Sequence, residues 1–238
     1  MSRARIALQP AWVLHVRNYR DTSLLLEVFS RDHGRVGLVA RGARQPRSRQ
    51  RALLQVLQPL LLSWQGGGEL LTLAQVEARA PARRIQGDAL FAALYANELL
   101  LRLLARQDPH ARLFSEYGGF IERLAAGEDA GVAVRAFERD LLQALGYGLN
   151  LAQDAAGARI SEEQKYHYDD ERGFVASARA GGVSGASLRA LAADRLDAVQ
   201  ARELKPLLQA ALRRHLGERE LQTPRLLRAL RSGLEKNR

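Results

Sequence analysis

The first 80 residues alternate between short apolar stretches and polar or glycine-containing turns. Residues 11–17 read AWVLHVR, in which apolar and polar side chains alternate as in a half-buried strand. Similar stretches predict four more strands, at residues 23–30, 35–40, 58–64 and 70–76. Residues 32–34 make a tight connection, and the glycines at 66–68 separate the last two strands. Five short strands in about 80 residues predict a small barrel, and the OB-fold is the five-stranded barrel best known for binding oligonucleotides.

From Asp88 onward the apolar positions recur at helical spacing. Asp88 is predicted to cap a helix over residues 89–106, and Asp108 with Pro109 opens a second helix that ends near residue 126. The later predicted elements are a helix over 132–145, a β-hairpin over 164–177 with its turn near 170–173, a short helix capped by Ser187, a helix from Asp197 to residue 216, and a last helix over 225–234 after Thr223 and Pro224.

The predicted fold class is therefore α+β. An N-terminal five-stranded OB-fold barrel, residues 1–80, is followed by a mainly α-helical domain, residues 81–238. Residues 150–185 look irregular and contain the small β-hairpin as an insertion in the second domain.

The residue types needed for catalysis or metal binding are missing or scattered. The chain has no cysteine, which removes disulfides, thiol catalysis and Cys-based metal sites. Its five histidines, at 15, 33, 110, 167 and 215, show no metal-ligand spacing and no nucleophile motif. We therefore expect no enzymatic activity, no cofactor and no metal.

Hydropathy points to a soluble protein. The start, MSRARIALQPAWVL, has no apolar core of a signal peptide, and no apolar run approaches the ~20 residues of a membrane span. We expect a cytoplasmic protein, associated with the nucleoid if it binds DNA.

The positive charge is concentrated in the N-terminal part. Residues 1–84 hold 14 basic and five acidic residues, a net charge of +9, whereas the whole chain carries +10. The loop at residues 41–51 is the densest stretch and is expected to be mobile. A one-sided arginine field attracts polyanions, and nucleic acid is the commonest of these in a cell. A solvated loop in an arginine-rich protein is the alternative, which the segregation of the charge disfavours. The candidate DNA-binding residues are Arg17, Tyr19, Arg20, Arg31, Arg35, Arg41, Arg44, Arg47, Arg49 and Arg51.

Aromatic side chains could add base stacking to this charge. Trp12 and Phe29 alternate with valine and leucine along predicted strands, which favours packing in a core. Tyr19 lies beside Arg17 and Arg20 and is the better candidate for stacking on bases.

The helical part offers a second candidate surface. Arginines lie beside apolar helix faces and would suit an acidic peptide with an apolar tip. The candidates are Arg135, Arg139, Leu142, Arg213 and Arg214. Ordinary amphipathic helices show the same pattern, and the pattern alone favours that simpler interpretation.

Five segments resemble the RecO family of bacterial DNA repair and recombination mediators. They are YRDTSLLLEVFSRDHGRVGLVARGAR (19–44), ALLQVLQPLLLSWQGGGELLTLAQVEA (52–78), YANELLLRLL (95–104), FERDLLQALGYGLNL (137–151) and YHYDDERGFVAS (166–177). Many family members carry a four-cysteine zinc knuckle after the LGY segment, and this chain reads LNLAQDAAGARIS there, so it is similar to the zinc-free subgroup.

The resemblance implies a function and partners. It implies binding of single- and double-stranded DNA, annealing of complementary strands, and partnership with RecR. It also implies binding to the acidic C-terminal tail of the single-stranded-DNA-binding protein. Through these partners, a family member helps to load the RecA recombinase. With the resemblance included, the peptide groove becomes the favoured interpretation, with Arg135 as its main rim residue. The alternative is a protein–protein adaptor with a basic OB-like domain and only weak DNA contact.

Overall fold

The computed structural model describes residues 4–177, 181–217 and 221–226. The strands are β1 (Ala4–Tyr19), β2 (Ser23–Ser30), β3 (Gly34–Ala40), β4 (Pro59–Gly66), β5 (Leu70–Ala78), β6 (Lys165–Asp169), β7 (Gly173–Ala176) and β8 (Val183–Ser184). The helices are α1 (Gln50–Leu53), α2 (Gly87–Leu103), α3 (Ala111–Ala125), α4 (Ala130–Ala144), α5 (Gly185–Ala192) and α6 (Ala198–Leu216).

The first five strands close into a barrel in the order β1-β2-β3-β5-β4, with β4 paired back to β1. Among these five strands, β3 and β5 pair in parallel and the other neighbouring pairs are antiparallel. Leu26, Val28 and Leu38 are fully buried in the barrel, and Leu54 at the end of α1 joins this core. The helix α1 therefore closes the barrel at the end where β3 finishes, which we call the α1 end. The barrel, the helices and the small separate sheet confirm the predicted α+β class.

The strand β1 is longer than predicted because bulges interrupt its period of two. Its register shifts between Ile6 and Gln9, and again between Val13 and His15. A bulge adds an unpaired residue and bends the strand, so the apolar–polar alternation is not continuous in the sequence. The bent strand pairs with β4 over its first part and with β2 over its second.

A helical layer covers the outside of the barrel. Trp12 and Phe29 are 4 % and 0 % exposed, and the prediction that they pack in a core is confirmed. They meet α3 edge-on, with ring centroids 5.4 Å apart for Trp12–Tyr117 and 5.5 Å for Phe29–Phe114. The hydroxyl of Tyr117 donates to Asn97 of α2 at 2.5 Å. Burial raises the pKa of Tyr117 above its usual range, so the hydroxyl remains a neutral donor.

The described residues form two compact units: unit 1 holds residues 4–125 and 221–226, and unit 2 holds the residues between. The carboxylate of Glu98 on α2 anchors the returning chain in unit 1, accepting the backbone N–H of Gln222 at 2.8 Å and of Thr223 at 2.9 Å. The predicted boundary at residue 80 follows the end of β5, but α2 and α3 pack with the barrel in unit 1. As a division into domains it stays a prediction.

Unit 2 combines helices with a three-stranded sheet in the order β7-β6-β8. The predicted hairpin is confirmed, since β6 ends at Asp169 and β7 begins at Gly173. The predicted cap of α6 is also confirmed. The carboxylate of Asp197 accepts the N–H groups of Val199 and Gln200 at 2.8 Å, and the Gln200 side chain completes a capping box.

Two predicted caps were wrong by a few residues. The cap of α5 is Ser184, whose hydroxyl accepts the N–H of Ser187 at 3.2 Å. Both hydroxyls donate to Glu203 of α6. Burial by itself raises the pKa of Glu203, but these hydrogen bonds outweigh it and hold the pKa below its usual value. The cap of α2 is Gln86, so Asp88 lies in the first helical turn.

The helix predicted over 225–234 begins earlier, at residue 222, and the chain is helical to residue 226; residues 227–234 of the prediction lie outside the described residues. Within the described part of the chain, no helix is long and apolar enough to cross a membrane.

Candidate nucleic-acid interface

Two of the predicted DNA-binding segments meet at the α1 end of the barrel. Arg44 joins them: its Nη1 donates to the carbonyls of Arg20 and Asp21 at 3.1 and 3.2 Å, and its backbone N–H donates to the carbonyl of Thr22 at 2.9 Å. Three hydrogen bonds from one residue hold the β1–β2 turn against the 41–51 segment. We call residues 17–22 and 41–51 together the basic end.

The basic end carries seven arginines and one acidic residue, Asp21. Six of the arginines have exposed side chains that form no ion pair with any described residue; they are Arg17, Arg20, Arg41, Arg47, Arg49 and Arg51. Uncompensated guanidinium groups on an exposed surface keep their attraction for phosphate. This arrangement brings together most of the residues that the sequence suggested.

The 41–51 segment contains two hydrogen-bonded turns, and its expected mobility stays a prediction. The N–H of Gln45 donates to the Gly42 carbonyl at 3.0 Å, and the N–H of Ser48 donates to the Gln45 carbonyl at 3.0 Å. These two consecutive turns lead into α1. Gly42 has φ +68°, a left-handed conformation that glycine adopts without steric cost. The arginine side chains of this segment therefore extend from a backbone that is held by hydrogen-bonded turns.

Tyr19 is the last residue of β1, next to the turn, and its ring already contacts a neighbouring side chain. Its ring is half-buried, and the guanidinium carbon of Arg20 lies 5.3 Å from the ring centroid. Arg20 has φ +50°, which is uncommon for a residue with a side chain. That Tyr19 stacks on bases stays a prediction.

Arg31 and Arg35 lie away from the basic end, at or near the β2–β3 turn. Arg31 pairs with Asp32 at 2.9 Å on the exposed surface. Arg35 donates from Nε to the carbonyl of Leu104 at 3.1 Å and pairs with Glu27 at 3.2 Å. Burial lowers the pKa of Arg35, and Glu27 counteracts that shift. Both arginines thus have local partners that compete with phosphate.

The partners of Arg35 were missed at the sequence level. Leu104 lies 69 positions away along the chain, and Glu27 also pairs with Arg106 at 2.5 Å across 79 positions. No local pattern links residues so far apart.

In unit 2, the predicted peptide-binding residues are mostly engaged or buried. Arg135 is 4 % exposed and donates from Nη2 to Glu138 at 2.9 Å, while Leu142 is 1 % exposed. Arg139 donates to the carbonyl of Leu191 and pairs with Asp140. In this conformation neither Arg135 nor Leu142 borders an open groove, and their contact with a peptide stays a prediction.

The two predicted arginines on α6 differ from each other. Arg214 pairs with Asp170 and lies over the ring of Tyr168, 5.8 Å from its centroid. Arg213 is exposed and forms no ion pair with the described residues.

Unit 2 also contains a cavity of about 650 Å³ that the sequence did not suggest. Leu151 and Ile160 line its apolar part, and three arginines line it as well. Arg189 pairs with Glu162 at 2.9 Å, whereas Arg159 and Arg195 form no ion pair with the described residues. The lining residues come from the irregular segment, from α5 and the connection after it, and from the start of α6, and these parts meet only in the folded chain.

A closed five-stranded barrel with an arginine-rich end defines an OB-like barrel protein. Comparison with known sequences identifies the family to which this barrel protein belongs. The sequence model described as "Recombination protein O N terminal" matches residues 1–82, and the one described as "Recombination protein O C terminal" matches residues 84–225. The chain belongs to the RecO family.

Individual relatives give the same result over nearly the full length. The chain is 46 % identical over 229 residues to the DNA repair protein RecO of Methylococcus capsulatus, covering 95 % of each chain. It is 46 % identical over 233 residues to the protein of the same name from Nitrosococcus oceani, again covering 95 % of each. The corresponding protein of Alkalilimnicola ehrlichii is 45 % identical over 237 residues, covering 97 % of this chain and 94 % of the relative. The predicted resemblance is thereby confirmed.

Proposed function

We propose that this protein is a non-enzymatic DNA-binding mediator of recombination in DNA repair. It binds single- and double-stranded DNA, anneals complementary strands and helps to load the RecA recombinase onto DNA coated by the single-stranded-DNA-binding protein. The observation that carries the proposal is the basic end, where six exposed arginines have no ion-pair partner among the described residues. Family membership and the names of the relatives support it. We place the protein in the cytoplasm, at the nucleoid.

Annealing follows from the chemistry of the basic end. Two strands repel each other through their phosphates, and guanidinium groups that pair with phosphate reduce this repulsion. Contacts to phosphate carry no sequence information and leave the base edges available for pairing. The geometry therefore suits an annealing surface better than a sequence reader.

A salt titration tests direct DNA binding. If the six exposed arginines each contact one phosphate, the slope of log K against log salt should be roughly −5 on duplex and −4 on single strands. Fluorescence anisotropy with labelled oligonucleotides measures both slopes, and strand annealing is followed with the same oligonucleotides by fluorescence quenching. Absence of binding at low salt would leave the alternative function, a protein–protein adaptor.

For partners we propose RecR and the acidic C-terminal tail of the single-stranded-DNA-binding protein, with the tail bound by unit 2. The buried guanidinium group of Arg135 supports binding of the tail by unit 2. Its Nε and Nη1 are buried and have no hydrogen-bond acceptor among the described residues. Buried N–H groups without an acceptor are costly, and a peptide carboxylate would supply one. Arg139, Leu142, Arg213 and Arg214 form the remainder of the proposed site.

The choice of variant matters for testing the peptide site. Replacing Arg135 by Glu would bury a second carboxylate beside Glu138, which costs about 3–5 kcal/mol of stability in comparable cases. Arg213→Glu avoids this problem because Arg213 is exposed. We expect Arg213→Glu to weaken binding of a labelled acidic peptide with a free C-terminal carboxylate and to leave DNA binding unchanged.

The cavity in unit 2 provides the comparison for that experiment. The double variant Arg159→Glu and Arg195→Glu replaces the two arginines of the cavity that form no ion pair with the described residues. If this variant abolishes peptide binding and Arg213→Glu does not, the peptide binds in the cavity and the assignment to α4 and α6 is wrong. Loss of DNA binding in either variant would contradict the proposal that unit 1 binds DNA and unit 2 binds the peptide.

A further inference from the structure

OB barrels commonly bind oligonucleotides on the outer face of strands β2 and β3, between the β1–β2 and β4–β5 loops. In this chain that face is already covered. Leu24, Leu26 and Val28 point into the barrel, so Leu25 and Phe29 point outward, yet these two are only 3 % and 0 % exposed. The helices of unit 1 and the segment that follows α2 occupy the face.

The segment after α2 is bound directly to β3. The backbone N–H of Gln107 donates to the carbonyl of Arg35 at 2.9 Å. In turn, Nε of the Arg35 side chain donates to the carbonyl of Leu104 at 3.1 Å. Arg106 pairs in parallel with Arg35 as an isolated bridge, and its guanidinium bonds to Glu27 of β2 at 2.5 Å. We call residues 104–108 the strap, because they lie across both strands.

Two glycines allow this close approach. A Cβ on Gly34 would lie 2.0 Å from the carbonyl oxygen of Asp108, and a Cβ on Gly37 would lie 2.8 Å from Nη1 of Arg106. No side chain fits at Gly34 while the strap is in place, because the obstructing atoms are backbone. The strap is therefore built into the fold and is not a loose covering.

The charges on the covered face are also used internally. Glu27 forms ion pairs with both Arg35 and Arg106, so neither arginine can bind phosphate without breaking an ion pair. The nearby β4–β5 turn, residues 67–69, holds two glycines and Glu69 and has no basic residue. Of the three elements that OB barrels usually use, only the β1–β2 turn is both open and basic.

We propose that DNA lies across the α1 end of the barrel, from the β1–β2 turn to residues 47–51, and not across β2 and β3. This route rests on the proposed DNA-binding function. Arg44 makes the two segments one surface through its three bonds to the turn. The strand is held by phosphate contacts alone, apart from Tyr19, and its base edges face away from the protein.

Three glutamines allow the route to be mapped without changing any charge. Gln45 lies in the 41–51 segment, Gln75 on the outer side of β5, and Gln107 in the strap, and all three are exposed. A photo-crosslinking phenylalanine analogue replaces each one in turn in the full-length protein. After irradiation with a labelled single-stranded oligonucleotide, the crosslinked fraction is measured on a denaturing gel.

We expect the crosslinked fraction at Gln45 to exceed that at Gln75 or Gln107 by at least about tenfold. Strong crosslinking at Gln107 would show that the strap opens and that the strand follows β2 and β3, which overturns the proposal. Strong crosslinking at Gln75 would place the strand on β5 and would also overturn it. Equal, weak crosslinking at all three positions in a protein that binds the oligonucleotide would contradict it too.

The same samples separate this proposal from the proposed function. Anisotropy on each labelled variant reports whether DNA is bound at all. Binding with crosslinks at the wrong position means that only the route is wrong, whereas absence of binding in the unmodified protein means that the DNA-binding function itself fails.

Discussion

The two ends of the barrel carry the same type of side chain in opposite settings. At the basic end, six exposed arginines form no ion pair with the described residues. Near the β2–β3 turn, Arg31 and Arg35 each pair with a carboxylate, and Arg35 also bonds to the backbone of the strap. Arginine content alone therefore does not locate a nucleic-acid interface. The interface that we propose lies where exposed arginines form no ion pair with the described residues.

The largest effect is expected from the unpaired arginines. Arg41→Glu, Arg47→Glu and Arg49→Glu together should weaken binding to single-stranded DNA at low salt by at least about 100-fold, and make the log–log salt slope on duplex shallower by roughly 2–3 units. Arg44 is left intact because it holds the turn. Anisotropy measures the affinity, and circular dichroism checks that the melting temperature is unchanged.

The matched control replaces three exposed arginines of unit 2 by glutamate: Arg172→Glu, Arg195→Glu and Arg202→Glu. It changes the net charge by the same amount, so it should leave DNA affinity within about threefold of the unmodified protein. Equal losses in the two triple variants would mean that net charge matters and the position of the arginines does not.

The paired arginine beside the strap should show the reverse behaviour. Arg35→Met removes a charge-assisted bond to Glu27 and a bond to the strap, which should lower the free energy of unfolding by about 2–3 kcal/mol. DNA affinity of the folded fraction should not change. Urea unfolding gives the stability, and a double-mutant cycle with Glu27→Gln isolates the pair. A stable Arg35→Met variant with weakened DNA binding would place Arg35 in the interface.

Tyr19 tests whether the basic end contacts bases as well as phosphates. Removing an aromatic ring that stacks on a base costs about 1–3 kcal/mol, so Tyr19→Leu should weaken single-strand binding by roughly fivefold or more. Duplex binding should hardly change, because paired bases cannot stack on the ring. Tyr19→Trp serves as the control that keeps an aromatic face. If Leu and Trp behave alike, the ring packs only against Arg20.

The smallest effect is expected at Arg31, which pairs with its chain neighbour on the open surface. Exposed ion pairs contribute little to stability, so Arg31→Gln should leave the melting temperature unchanged. DNA affinity should fall by no more than about twofold, because the residue lies away from the basic end. A larger loss, measured by the same anisotropy assay, would show that the interface extends to the β2–β3 turn.

Features that depend on neighbouring residues were predicted from the sequence. Alternation identified the barrel strands, helical spacing identified the helices, and Asp197 was recognised as a cap because its partners lie two and three positions away. The length of β1 was missed, since its bulges break the period. The cap at Ser187 was misplaced by three residues because Ser184 and Ser187 both suit that role.

The sequence by itself determined the fold class and the concentration of charge in the N-terminal part, because periodicity and composition are local properties. The tertiary structure alone decided which arginines form ion pairs among the described residues and which do not, and which face of the barrel is covered. Glu27, Arg35 and Arg106 meet through contacts that span up to 79 positions, and Arg135 is buried beside Glu138 although its sequence context resembles an exposed helix face. The physical reason is that an ion pair and a covered surface depend on distances in space, which the chain defines only when it is folded.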